Sequence, residues 1–329
     1  MKSSNRALFI TIFALLVVVF FSLGSGRYPK GGFTNPFGLL DDPLFKSVLL
    51  EVRLPRIILA LTGGAVLATS GFVFQMIFAN PLIEPGFLGV SQGAAFGAAL
   101  AILLFPFSSL IIQLSASFFG LLALFLSYHL AKRFHFGGWI LRLILSGIAV
   151  GAIFSSALST IKLLATPGSS LQDITFWMMG GLYNSSWKTA WTILPIMWAS
   201  LLFFVLLRWR INLFSLDDKI TFSLGIAVGK EKTLFLIVAT VATTAFISVS
   251  GIVGWVGLII PHLARGVFGS DGRKALPGTL LFGSIFLLIS DTLGRTLFSG
   301  EIPLGVITSF FGAVIFIGVL SSRQLKVKL

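Results

Sequence analysis

The stretch EVRLPRIILALTGG, residues 51–64, sets two arginines and a proline at the lip of a long apolar run. Arg53 and Arg56 are three positions apart, so in a helical turn they point the same way. Pro55 between them suits a first helical turn, where a missing N–H costs nothing. The residues that follow are continuously apolar rather than alternating, which favours a spanning helix over a barrel strand. The rest of the chain is of the same kind. Of its 329 residues 56% are hydrophobic and only 11% charged, with mean hydropathy +1.00. An ordinary soluble domain carries about a quarter charged residues, so this is an integral membrane protein. The net charge of +13 would suggest nucleic acid in a soluble chain. Here the basic residues sit in short segments between apolar runs, where they set topology, and no nucleic-acid partner is expected.

Ten candidate spans follow: roughly 7–26, 57–79, 88–106, 112–131, 142–165, 190–207, 233–250, 252–268, 275–298 and 303–321. Each is near the ~20 residues that a bilayer needs. The first follows Lys2 and Arg6 and lacks a small-x-small cleavage site, so it reads as a span rather than a signal peptide. Residues 88–131 would make ~66 Å of unbroken helix, too long for one crossing, and split at Pro106–Ser109. Residues 233–268 split at Gly251–Gly254 on the same ground. With the N-terminus inside, 16 of the 24 basic residues fall on the cytoplasmic side and 8 outside, so both termini are cytoplasmic. The expected fold is all-α and polytopic. Arg53 and Arg56 then lie outside, where this rule gives them no reason to be.

Two connections are too patterned to be mere links. Residues 208–232 are cytoplasmic, and Leu213, Leu216, Ile220 and Leu224 recur near helical spacing, which predicts a short amphipathic helix outside the membrane. Residues 168–189 are outside and carry Trp177, Tyr183 and Trp187, as a short interfacial helix does. Surface helices lying in the headgroup region are the plainer reading of both. Glycines at close-packing spacing, Gly93–Gly97, Gly147–Gly151 and Gly254–Gly257, predict tight helix contacts.

Several chemistries are missing. GIAVGKEK, residues 225–232, fails as a phosphate loop: three residues separate Gly225 from Gly229, and Glu231 follows Lys230. Any ATP and Mg would therefore be bound by another chain. There are no cysteines, and His129, His135 and His262 have no ligand partner at helical spacing, so no metal site and no bound cofactor are expected. No grouping of residues suggests catalysis. Asp291 is an acid well inside a span, which by default is functional. Arg295 is four residues on, so a structural pair competes with a proton relay. The scarcity of such acids counts against a stand-alone secondary carrier.

Four stretches together are distinctive: RLPRIILALTGGAVLATSGFVFQMIFANPLIEPGFLGVSQGA (53–94), FWMMGGLYNSSW (176–187), SLDDKITFSLGI (215–226), and the segment from GIVGWVGLIIPHLARG (251–266) through EIPLGVITSFFGAVIF (301–316). They resemble the permease subunits of ABC importers for vitamin B12, haem and iron–siderophore complexes, over nearly the whole chain from about residue 47. The resemblance implies one transmembrane permease domain, 1–329, in the inner (cytoplasmic) membrane. It implies a homodimer of permeases in the lipid bilayer, with two ATPase subunits below and an extracytoplasmic binding protein above. It places ATPase coupling on Leu213, Leu216, Asp217, Ile220, Leu224 and Gly225. It places the outer helix, about 171–182, with Trp177, Met178, Gly180 and Gly181, beside the translocation path. Arg53, Arg56 and Arg295 match outer-face arginines that meet acids of the binding protein, with Arg295 the weakest because Asp291 competes for it. Arginines that merely anchor a span end in headgroups are the alternative. The expected cargo is an iron chelate, siderophore or haem, with cobalamin or an oxyanion such as molybdate as alternatives.

Overall fold

The computed structural model describes residues 2–28, 31–35, 42–105, 108–215, 228–298 and 300–321. Among them the chain is almost wholly helical. Helix α1 (Lys2–Gly24) runs into a two-residue strand β1 (Ser25–Gly26), paired antiparallel with β2 (Gly32–Phe33). Helix α2 (Pro43–Ser47) is capped by the Asp42 carboxylate, which accepts from the Leu44 and Phe45 amides. A π-helical turn (Val48–Arg53) leads without a break into α3 (Leu54–Ile77). There follow α4 (Val90–Leu104), α5 (Ser109–Arg133), α6 (Trp139–Leu164), the short α7 (Ser170–Met179), α8 (Trp187–Leu206) and the single turn α9 (Arg208–Ile211). The last four are α10 (Val228–Ser250), α11 (Val256–Phe268), α12 (Gly272–Thr296) and α13 (Leu304–Ser321).

Each of the ten expected spans has its helix. Seven are long and apolar enough to cross a bilayer, and α4, α11 and α13 are shorter apolar helices. An even number of crossings returns both chain ends to one side, and the basic bias makes that side the cytoplasm. The expected split before α5 is present, with Ser108 capping the new helix by accepting from the Ile111 amide. The expected span 252–268 needs correction. Helix α11 begins only at Val256, and its 13 residues make about 20 Å of helix, short of the bilayer core. The preceding residues 251–254 have no regular secondary structure.

Helix α3 lies inside the bundle, packed against α12, α10, α11 and α8. In its apolar window 89% of residues are buried, against 17% for α1, which turns Phe9, Ile10 and Phe13 outward. Without water to drive helices together in lipid, small residues let backbones close up. A Cβ on Gly64 of α3 would stand 2.1 Å from the carbonyl oxygen of Gly283 on α12, and one on Gly283 would stand 2.2 Å from that of Gly64. Ser284 beside this crossing donates to the Leu61 carbonyl at 2.8 Å. The glycines of α4 do the same against α5, with Gly93 facing the Phe119 carbonyl and Gly97 that of Ser115.

At the cytoplasmic end, Asp271 caps α12 and accepts from the Asn212 amide at 2.8 Å, while Asn212 accepts from the Gly272 N–H at 2.7 Å. This ties α12 to the chain leaving α9. Leu213 lies half-buried in the 3-10 turn Asn212–Ser215. Leu216, Asp217, Ile220, Leu224 and Gly225, and so the expected amphipathic helix, lie outside the described residues.

Gly64→Val is expected to cost at least the ~1–3 kcal/mol of an overpacked core, because backbone rather than a flexible side chain is in the way. Gly266→Ala, with nothing within 4 Å of its added methyl, is expected to be neutral. Thermal unfolding of the two purified variants in detergent checks the contrast.

Candidate functional site

The three arginines singled out in the sequence do converge, at the outer end of the bundle, but they are not exposed. Arg53, Arg56 and Arg295 are only 4%, 9% and 8% exposed. Arg56 sits on the first turn of α3 and Asp291 on the last turns of the antiparallel α12, so the crossing at Gly64 and Gly283 brings them level. Arg56 Nε donates to both Asp291 oxygens, at 2.9 and 3.1 Å, and its two terminal nitrogens reach the two Glu301 oxygens at 3.1 and 2.9 Å. Arg295 Nε stands 3.7 Å from Asp291, an ion pair without a hydrogen bond. The pairing expected within α12 is therefore real, but the shorter contact crosses from α3.

The remaining donors close the end of α1. A helix leaves its last four carbonyls without partners, and cations are favoured there. Arg53 donates to the carbonyls of Leu23 at 2.6 Å and Tyr28 at 2.8 Å. Arg295 donates to those of Ser22 at 2.5 Å and Ser25 at 3.0 Å, and to the Ser22 hydroxyl at 2.8 Å. Two helices that are distant in sequence thus cap a third. Of the acids in the cluster, Asp291 is wholly buried and the Glu301 side chain is 38% exposed.

The short helix α7 is stitched to the broken segment. Gly180 ends α7 with φ +73°, and its carbonyl accepts from the Leu304 N–H at 2.9 Å, at the start of α13. The Gly181 N–H donates to the Ser250 carbonyl at 2.7 Å, at the end of α10. Gly251 has φ +66°, and a Cβ there would lie 2.0 Å from the Trp177 carbonyl oxygen. Residues with no side chain are needed on both sides of this seam. Trp255, with φ +72°, takes the same left-handed conformation with a bulky side chain, a strained backbone of the kind that clusters at functional sites. Trp177 is partly buried against Ala94, Ala98 and Ile247, and Met178 faces a cavity.

That cavity, of about 800 Å³, runs between α7, the start of α11, the start of α13 and the loop joining α3 to α4. A second, of about 430 Å³, continues on the other side of the same loop, between α6, α10 and the broken segment. Glu84 of this loop lines both. Its carboxylate makes no hydrogen bond or ion pair among the described residues. Among the described residues neither lining contains Lys or Arg; the walls are glycine, apolar side chains and a few hydroxyls and amides. The sequence reading passed over Glu84 because it sits between Pro81 and Pro85 in a connection rather than in a span. Among the described residues no group of His, Cys, Asp or Glu could hold a metal ion.

The FecCD transport family matches residues 12–322. The molybdate import system permease protein of Haemophilus influenzae is 37% identical, over 97% of this chain and 96% of its own length. The probable iron chelatin transport system permease protein of Helicobacter pylori is 41% identical, over 83% and 82%. A solved structure in an inward-facing conformation, provisionally assigned as a metal-chelate type ABC transporter, superposes with a TM-score of 0.89 at 35% identity. It covers 96% of this chain and 99% of its own.

Asp291→Asn is expected to destabilise the protein by about 3–5 kcal/mol, since it leaves Arg56 and Arg295 buried without their shared counter-charge. The double variant Arg56→Met/Asp291→Leu is expected to recover much of that loss. Thermal midpoints and surface expression of the three proteins make the comparison.

Proposed function

The chain belongs to the FecCD transport family, and on that premise we propose that it carries a metal chelate, an iron–siderophore complex or haem, inward across the cytoplasmic membrane as the permease of an ABC importer. The observation that carries this reading is the pair of cavities around Glu84. Among the described residues they are walled by apolar and small groups with one unpaired carboxylate and no cation, which suits a bulky, largely apolar complex. A small oxyanion such as molybdate would meet no positive group there. The molybdate permease relative nonetheless favours that cargo as a second reading, with cobalamin as a further one.

The energy source is proposed to be a separate ATPase pair, since the GIAVGKEK stretch departs from a phosphate loop. Two copies of the permease would enclose the path, and a binding protein would deliver cargo from outside. ATP binding would close the ATPases. Residues 213–226 would carry that motion into the bundle, and the cavity would change the side to which it opens. The shortened α11 and the seam at Gly180 and Gly251 support such a change, because a helix interrupted inside the bundle divides a crossing into two separately movable parts. Docking of the binding protein at Arg53, Arg56 and Arg295 is kept as a proposal under one physical condition. An incoming carboxylate has to compete with Asp291 and Glu301 for guanidiniums already bonded, and Glu301 is the accessible member of the cluster.

Uptake of radiolabelled ferric siderophore, haem, cobalamin and molybdate by cells that depend on this permease tests the cargo. Chelate uptake without molybdate uptake supports the reading, and molybdate uptake alone overturns it. The purified chain is expected to bind no MgATP by itself. Leu216→Asp or Gly225→Pro is expected to abolish ATPase capture or to uncouple hydrolysis from uptake, read by pull-down and by transport in proteoliposomes. If docking is direct, Arg56→Glu weakens binding-protein association and an acid-to-base change on the partner restores part of it. If Arg56 only anchors the fold, protein level falls and no partner change rescues it.

A further inference from the structure

A third cavity, of about 730 Å³, lies away from the proposed path, between the cytoplasmic ends of α5, α6 and α10. Lys230 is exposed at its mouth, Lys232 lies buried in its wall, and Tyr128 and Trp139 form its sides. The Lys132 ammonium lies 4.5 Å from the centre of the Tyr128 ring, so a third cation flanks the same wall. No acid lines it. The neighbouring Glu231 is turned away to Arg210, at 2.6 Å. Deeper in, the wall is Ile140, Leu234 and Ile237; the last two are 48% and 45% exposed. Counted along α10 from Lys230, they lie about 6 and 10 Å further into the bilayer.

We propose that this groove binds one anionic phospholipid of the cytoplasmic leaflet, with its phosphate between Lys132 and Lys230 and an acyl chain along Ile140, Leu234 and Ile237. Three features point to this occupant. Among the described residues the charge at the mouth is of one sign, and basic pockets between spanning helices on the cytoplasmic side suit anionic headgroups, at about 1 kcal/mol per lysine. The aromatic pair sits at the level where amphipathic rings prefer the membrane interface. The apolar floor belongs to a spanning helix and faces sideways, where a soluble partner cannot follow it but a lipid chain can.

The test is a titration of the purified, delipidated full-length chain with dioctanoyl phosphatidylglycerol, dioctanoyl phosphatidylcholine and inorganic phosphate, read by native mass spectrometry. Phosphatidylglycerol is expected to bind about tenfold tighter than phosphatidylcholine, and inorganic phosphate is expected not to displace it. Lys132 and Lys230 are exposed, so Lys132→Gln/Lys230→Gln is expected to keep its elution volume and thermal midpoint while losing about tenfold in phosphatidylglycerol affinity. Ile237→Asn is expected to weaken both lipids. Equal binding of the two lipids by the wild type overturns the proposal, whatever the variants do. So does displacement by inorganic phosphate, which marks a plain anion site. So does a lysine variant that keeps its lipid affinity but no longer captures an ATPase, which assigns the surface to a soluble protein.

Discussion

Where α3 crosses α12, the carbonyl of each helix lies where the other would carry a Cβ, at Gly64 and Gly283. In lipid this closeness is itself the driving force, because dispersion and weak polar contacts between bare backbones replace the hydrophobic effect. Much else is positioned by it. The crossing aligns Arg56 with Asp291 a little over two turns toward the outer face. It also brings Arg295 within reach of the end of α1, whose carbonyls would otherwise stay unsatisfied. On the other flank of α3, Gly71 lies against the Gly257 backbone, and Gln75 donates to the carbonyls of Gly257 and Leu258 at 3.2 and 3.0 Å. The same helix thus holds the broken segment in place from one side while α7 holds it from the other.

The seam at residues 250–255 answers the problem that any interrupted helix poses in a membrane. Carbonyls freed by the break need donors, and irregular backbone is tolerated only inside protein or beside a cavity. Here the Ser250 carbonyl takes the Gly181 N–H, and the Ser250 hydroxyl donates to the Phe246 and Gly251 carbonyls at 3.1 and 3.0 Å. The strained Trp255 then faces the larger cavity. A tight, satisfied junction next to open space combines definite geometry with room to move.

The architecture was legible because bilayer thickness is written into run length: ten apolar runs became ten helices, with the split before α5 where Pro106 suggested it. The break after Ser250 was legible as punctuation but not as a five-residue gap, since hydropathy does not register that Gly251 and Trp255 have positive φ. The rim was legible only as a list of participants. Arg53 and Arg56 looked exposed because their acceptors are elsewhere: Asp291 lies 235 positions away from Arg56. Local spacing found Asp291 with Arg295 and missed the closer partner on α3, because no periodicity spans two helices. Glu84 escaped notice since an acid in a proline-flanked link looks ordinary until a cavity is seen on either side of it.

The burial of α3 bears on how the protein is made. This helix leaves the ribosome second, with Arg53 and Arg56 near its start, yet the segment that holds Asp291 and Gly283 is synthesised some 220 residues later. At about 5–20 residues per second that is a wait of roughly 10–45 s. Through that interval α3 is a span with a glycine-rich face and two guanidiniums but without its counter-charge. It has to remain beside the insertion machinery or accept lipid on surfaces shaped for other helices. Chains that stop short of α12 therefore present an unneutralised arginine at the membrane edge, which is the kind of exposed defect that membrane quality control can recognise.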